Sequence, residues 1–164
     1  MPEAVLPLAA DTQKLSRVVL EGEALGRLSP LQEADRAQAV ADLSAGNLFS
    51  PVGQVGPFAL HLSVQEGRLV LDVRDEADRK LMATLLALGP FRRLIKDYQL
   101  LVDSHVKAVE EGREARMEAI DMGRRGLHNE GAELLVQRLD RKIAIDFETA
   151  RRLFTLVCVL HQRI

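Results

Sequence analysis

From Met117 to Gly131 the chain reads Met-Glu-Ala-Ile-Asp-Met-Gly-Arg-Arg-Gly-Leu-His-Asn-Glu-Gly, its densest concentration of groups that bind or move charge. On a helix, Asp121, Arg124, Arg125 and His128 follow one another at offsets of three, four and seven, so a carboxylate, a guanidinium and an imidazole share one face. Histidine moves protons near neutral pH, and arginine grips carboxylates and phosphates with a planar two-pronged donor set. Asn129 and Glu130 add an amide and a second carboxylate. The stretch matches no phosphate loop, zinc pattern or nucleophile motif. A metal is not expected: His128 and Glu130 stand too close in sequence to share one helical face, and His61, His105 and His161 are scattered. No cofactor motif is present either.

Two more arginine pairs lie in the same half of the chain, Arg92-Arg93 and Arg151-Arg152. The first pair, with Lys96, falls in the opening turns of a helix that begins near Pro90, where the helix dipole favours acids. A broken local rule of this kind often marks function; the other reading pairs these cations with Asp97 or with carboxylates of the acidic half. The expectation is that Arg92, Arg93, Asp121, Arg124, Arg125, His128, Asn129, Glu130, Arg151 and Arg152 form a site for a small phosphate- or carboxylate-bearing ligand or an acidic segment of a partner protein. Several guanidinium groups cannot converge without an anion, and Asp121 and Glu130 alone are too few to neutralise them. Three other readings stay open. The charges can form an ion-pair network that clamps the helix to the sheet. The domain can be a protein-interaction module. It can also be an enzyme using His128 with Asp121 or Glu130 as its partner.

The elements that must position these groups follow from hydrophobic periodicity. Residues 1–13 hold two prolines and no pattern and read as a flexible tail, leaving 14–164 as a single globular domain. Lys14 to Leu20 reads as a strand. Ser29-Pro30 reads as an N-cap and first turn, opening a helix that Gly46-Asn47 stops. Asn47 to Pro57 reads as a loop. Phe58 to Val64 and Leu69 to Val73 alternate across Glu66-Gly67 as a hairpin, and Lys80 to Leu88 supplies a further strand. From Pro90 onward the spacing is helical: one helix closed by Gly112, a second running as one unit from Arg113 to Leu139, and a last one capped by Asp146 that is apolar nearly all round past Phe154. Ala115, Ala119, Gly123 and Gly126 form a small-residue ridge on the second, where another backbone could approach. The predicted class is α+β: a small antiparallel sheet of three to four strands packed against a C-terminal helical layer.

Composition is that of a globular protein, 47% hydrophobic and 28% charged, and the longest apolar run, 153–160, is far short of the roughly 20 residues of a membrane span. No membrane partner is expected. An acidic, proline-bearing start argues against a secretory signal and for the cytoplasm. The single Cys158 excludes an internal disulfide and is expected to be buried. Residues 1–78 carry 12 acids against 6 bases, −6, and residues 79–164 carry 12 against 16, +4, so an anionic partner belongs in the second half. Nucleic acid is disfavoured, since only 4% of residues are aromatic and no basic run interleaves with them.

Three long strings carry a resemblance: Pro-Phe-Arg-Arg with Lys-Asp-Tyr at 90–98, Glu-Ala-Ile-Asp-Met-Gly-Arg-Arg-Gly with His-Asn-Glu-Gly at 118–131, and Ile-Asp-Phe with Thr-Ala-Arg-Arg-Leu-Phe-Thr-Leu-Val-Cys-Val-Leu-His at 145–161. In these the chain resembles UPF0262, an uncharacterised alphaproteobacterial protein family. The resemblance implies a bacterial cytosolic protein and supplies no catalytic residue.

Overall fold

A computed structural model describes residues 11–161. Its strands are β1 (Leu15–Leu20), β2 (Phe49–Pro51), β3 (Phe58–Gln65), β4 (Arg68–Arg74), β5 (Lys80–Ala87) and β6 (Ile143–Ile145), and its α-helices are α1 (Pro30–Ala45), α2 (Arg92–Glu111), α3 (Glu114–Arg138) and α4 (Phe147–Leu160). The class is α+β as the periodicity predicts. The main sheet has four strands in the order β1-β3-β4-β5, with β3, β4 and β5 antiparallel. It is mixed rather than wholly antiparallel, because β1 joins β3 in parallel. A parallel neighbour needs a long crossover, and α1 with the segment after it supplies one.

Local chemistry explains where the helices begin and end. Ser29 Oγ accepts from the Gln32 amide while the Gln32 side chain accepts from the Ser29 amide, a capping box with Pro30 in the first turn. Gly112 ends α2 in the left-handed region at φ 67° and returns its amide to Ala108 and Val109. Asp146 accepts from the Thr149 amide at 2.9 Å and starts α4. The 47–57 segment is not all loop, since Phe49–Pro51 pairs antiparallel with Ile143–Ile145. Three residues are too few to show alternation, and their partner lies far along the chain. Gln13, placed in the tail by sequence, is held by bonds to Ser50 Oγ and the Gln54 carbonyl; tail residues 1–10 lie outside the described residues.

The core joins Leu60, Leu62, Leu69, Leu71 and Val73 of the sheet to Leu43 of α1, Ile95 and Tyr98 of α2, Leu127, Ala132 and Leu135 of α3, and nearly all of α4. Leu153 to Leu160 are buried without exception, Cys158 included, so α4 is the helix around which the others pack. The predicted small-residue ridge faces solvent. A Cβ at Gly126 would meet nothing within 4 Å, and one at Gly123 would make only ordinary contact with Leu101 at 3.6 Å. The close approach occurs one turn on, at Gly131, where a Cβ would lie 2.2 Å from the Phe154 ring. Phe154 is fully buried and stacks on Phe91 at 5.7 Å, so it cannot yield.

The two glycines therefore separate in their response to substitution. Gly131→Ala is expected to cost roughly 1–3 kcal/mol through overpacking, whereas Gly126→Ala should gain up to about 1 kcal/mol from helix propensity alone. Urea unfolding of both variants checks this, and equal midpoints would contradict the packing account.

Candidate functional site

The middle of α3 carries the densest polar cluster. Arg124 donates to two carboxylates at once, Asp121 on its own helix and Asp35 on α1. Asp35 is 4% exposed, and its second oxygen accepts from the Tyr98 hydroxyl of α2 at 2.7 Å. Burial lifts the Asp35 carboxyl above the ordinary range, opposed by the Tyr98 hydrogen bond and the Arg124 charge. Burial, then the Asp35 charge, pushes the Tyr98 phenol well up. Outside this core Asp121 also holds Arg125 at 2.9 Å. A chain of charge thus runs from buried Asp35 to exposed Arg125, tying α1, α2 and α3 together.

His128 lies behind the cluster at 1% exposure, its ring 5.7 Å from Tyr98 and edge-on to Phe154 at 6.4 Å. Burial, with the charges of Arg124 and Arg151, lowers its pKa to about 3. Its Nε2 is buried without a hydrogen-bond partner. Among the described residues it makes no hydrogen bond with Asp121 or Glu130. An imidazole this weakly basic is a poor proton acceptor near neutral pH. Among the described residues no group of three or more His, Cys, Asp and Glu side chains is placed to hold a metal ion.

The remaining predicted residues distribute over separate seams. Arg93 bonds Asp97 at 3.3 Å and Glu130 across to α3. Arg151 of α4 donates to Asn129 of α3 at 2.8 Å. Arg152 bonds Asp42 of α1 at 3.3 Å and Glu148 one turn back. Asp97, read from the sequence as one possible partner, is joined to Arg93, and the acids the sequence did not single out, Asp35, Asp42 and Glu148, supply further countercharge to Arg124 and Arg152. Asp35 had a legible signal: it falls in the series Leu31, Asp35, Ala39, Leu43 at intervals of four, a carboxylate on the buried face of α1.

Arg92 differs from the others. It and Lys96, four residues on, are exposed at the start of α2, which has no acid in its first turn and no side-chain cap. Among the described residues neither is joined to a carboxylate, whereas Arg93 between them is joined to two. Both border a cleft of about 460 Å³ that is also lined by Gly67, Leu88, Gly89 and Ile95. Like charges four apart on a helix repel, and here the dipole opposes both. Arg92 thus differs from Arg93, Arg124, Arg125 and Arg152, each of which is joined to a carboxylate.

Comparison with known proteins gives a family. The model of the uncharacterised protein family UPF0262 matches residues 12–163. The chain is 68% identical to the UPF0262 protein of Granulibacter bethesdensis, over 96% of this chain and 95% of that one. It is 63% identical to the UPF0262 protein of Acidiphilium cryptum over 92% and 93% of the two chains, and 47% identical to that of Maricaulis maris over 95% and 98%. No solved structure matches. The chain belongs to UPF0262.

The burial of His128 makes a pH prediction with a definite sign. Its folded pKa, about 3, lies below the unfolded value of 6.5, so the unfolded chain gains a proton first as pH falls. Its stabilising contribution is complete above pH 6.5 and shrinks below it, by roughly 2 kcal/mol at pH 5. Asp35, whose pKa is raised, acts oppositely: its contribution is complete below its unfolded value and is lost as pH rises through its folded one. Urea unfolding at pH 7 and pH 5 should show a drop in the parent that His128→Gln largely removes. The same drop in both would exclude His128 as its source.

Proposed function

We propose that this UPF0262 member is a binding protein for a small phosphate- or carboxylate-bearing ligand, with Arg92 and Lys96 as its point of contact. The observation that carries the proposal is an electrostatic imbalance: two exposed cations stand four residues apart in the opening turns of a 20-residue helix, and among the described residues neither is joined to a carboxylate. A bound anion would relieve the repulsion of Arg92 by Lys96 and the opposition of both by the dipole. The adjoining cleft, about 460 Å³, falls in the range that holds small ligands, and Leu88 and Ile95 give it apolar surface for the body of such a molecule. This support favours a small ligand over an extended acidic segment. Binding, rather than catalysis, fits a cluster whose one fully buried imidazole is held neutral and unpaired.

Anion binding to the native state must raise the melting temperature by mass action. With ligand about a hundredfold above its Kd, the rise should be roughly 5–10 °C for a domain of this size. The screen uses inorganic phosphate, nucleotides and small dicarboxylates on the parent, on the Arg92→Ala, Lys96→Ala double variant, and on Arg125→Ala as a control that loses an exposed but paired cation. The double variant should melt at or slightly above the parent's ligand-free temperature, having lost the repulsion, and should lose the rise; Arg125→Ala should keep the rise. A parent that none of these anions stabilises, or a double variant that still responds, overturns the proposal.

A further inference from the structure

We propose that β5 pairs with β5 of a second copy of the chain, antiparallel about a two-fold axis at Thr84, joining two four-stranded sheets into one. β5 is an eight-residue edge strand whose partner in the sheet is β4 alone. The bond from the Leu88 amide to the Gly67 carbonyl fixes which of its groups are used. With the two-residue period of a strand and the register Leu69↔Leu86, Leu71↔Thr84, Val73↔Met82, the backbone groups of Met82, Thr84 and Leu86 face β4, and those of Ala83, Leu85 and Ala87 face outward. Those outward groups have no partner among the described residues. Their side chains lie on the exposed sheet face, and Leu85 is 53% exposed.

Natural edges are blunted by charge, proline, bulges or a covering element. The opposite edge of this sheet carries such devices. At Leu15 the Asn47 side chain accepts from the amide and donates to the carbonyl, imitating a further strand, and a bulge follows between Leu15 and Arg17. β5 has no proline, its one charge is Lys80 at its first residue, and its irregularity lies at that same end. This asymmetry selects the occupant. Pairing of β5 with β1 of another copy would be head-to-tail and open-ended, and Asn47 stands in its way; pairing of β5 with itself closes at two copies. The two-fold at Thr84 sets Ala83 against Leu85 and Leu81 against Ala87, apolar against apolar, while Lys80 falls opposite Leu88, so no like charges meet.

The test combines oligomeric state with amide exchange on the full chain. Light scattering during size exclusion should give a dimer at micromolar concentrations. Exchange should find the Ala83 and Leu85 amides as protected as those of Thr84 and Leu86. Leu85→Lys, at an exposed position that leaves the core intact, should weaken the dimer roughly tenfold or more and release the amides of Ala83 and of position 85 while Thr84 and Leu86 stay protected. A monomeric parent whose Ala83 and Leu85 amides exchange freely overturns the proposal and leaves the edge to a different strand. A dimer that survives Leu85→Lys, or in which those two amides exchange freely, overturns it also, by showing that the copies meet elsewhere.

Discussion

The fold turns on one contact, the Phe154 ring of α4 seated on the bare backbone of α3 at Gly131. Any side chain at that position would hold the two helices apart. Because they touch there, helical periodicity decides what happens one and two turns earlier: His128 and Arg124 are carried to the side of α3 that meets Tyr98 and Asp35, and Arg151 reaches Asn129. The sequence accepts a glycine in a helix interior, at about 1 kcal/mol relative to alanine, in return for fully burying an aromatic ring that also stacks on Phe91. The polar cluster is thus a consequence of apolar packing. Its residues are close because Phe154 leaves the helices no other spacing.

Once assembled, the cluster constrains α1 in a way that apolar contacts do not. Leu43 and Ala39 could shift along α4 at modest cost, since any apolar neighbour serves them. Asp35 cannot, because a carboxylate at 4% exposure needs both the Arg124 guanidinium and the Tyr98 hydroxyl, and its position is fixed to within a hydrogen bond. Desolvation takes back much of what the pairing contributes, so its value to net stability is small while the cost of misplacing either partner is large. The arrangement specifies which turn of α1 faces which turn of α3. His128 completes the seal as a neutral ring of aromatic shape.

Legibility followed the distance over which a signal acts. The helices, the hairpin and the third antiparallel strand were readable because periodicity and caps lie within a few neighbouring residues, and a single long α3 was the preferred reading despite its glycines. The β2–β6 pair and the parallel placement of β1 were not, since each depends on a partner remote in sequence. The same limit governed the charges. Offsets of three and four on one helix found the bond of Arg124 to Asp121, but its bond to Asp35 spans 89 residues and that of Arg152 to Asp42 spans 110. Without those partners the sequence left an external anion and an internal ion-pair network as competing sources of countercharge.

The uneven charge of the two halves has the same resolution. The acidic first half and the basic second half meet at Asp35 with Arg124 and Asp42 with Arg152, so part of the surplus on each side is a record of which helices must find each other. Of the cations that this exchange leaves over, several, such as Lys107, Arg138 and Lys142, are scattered over solvent-facing positions where water is an adequate partner. Arg92 and Lys96 are not in that position. They repel one another across a single helical turn, Arg92 lies in the first turn of α2 where the backbone dipole opposes a cation, and both border a cleft. Among the described residues the fold matches Arg93 to two carboxylates and leaves the residue before it and Lys96 without one, so three cations within five positions of one helix have different electrostatic surroundings.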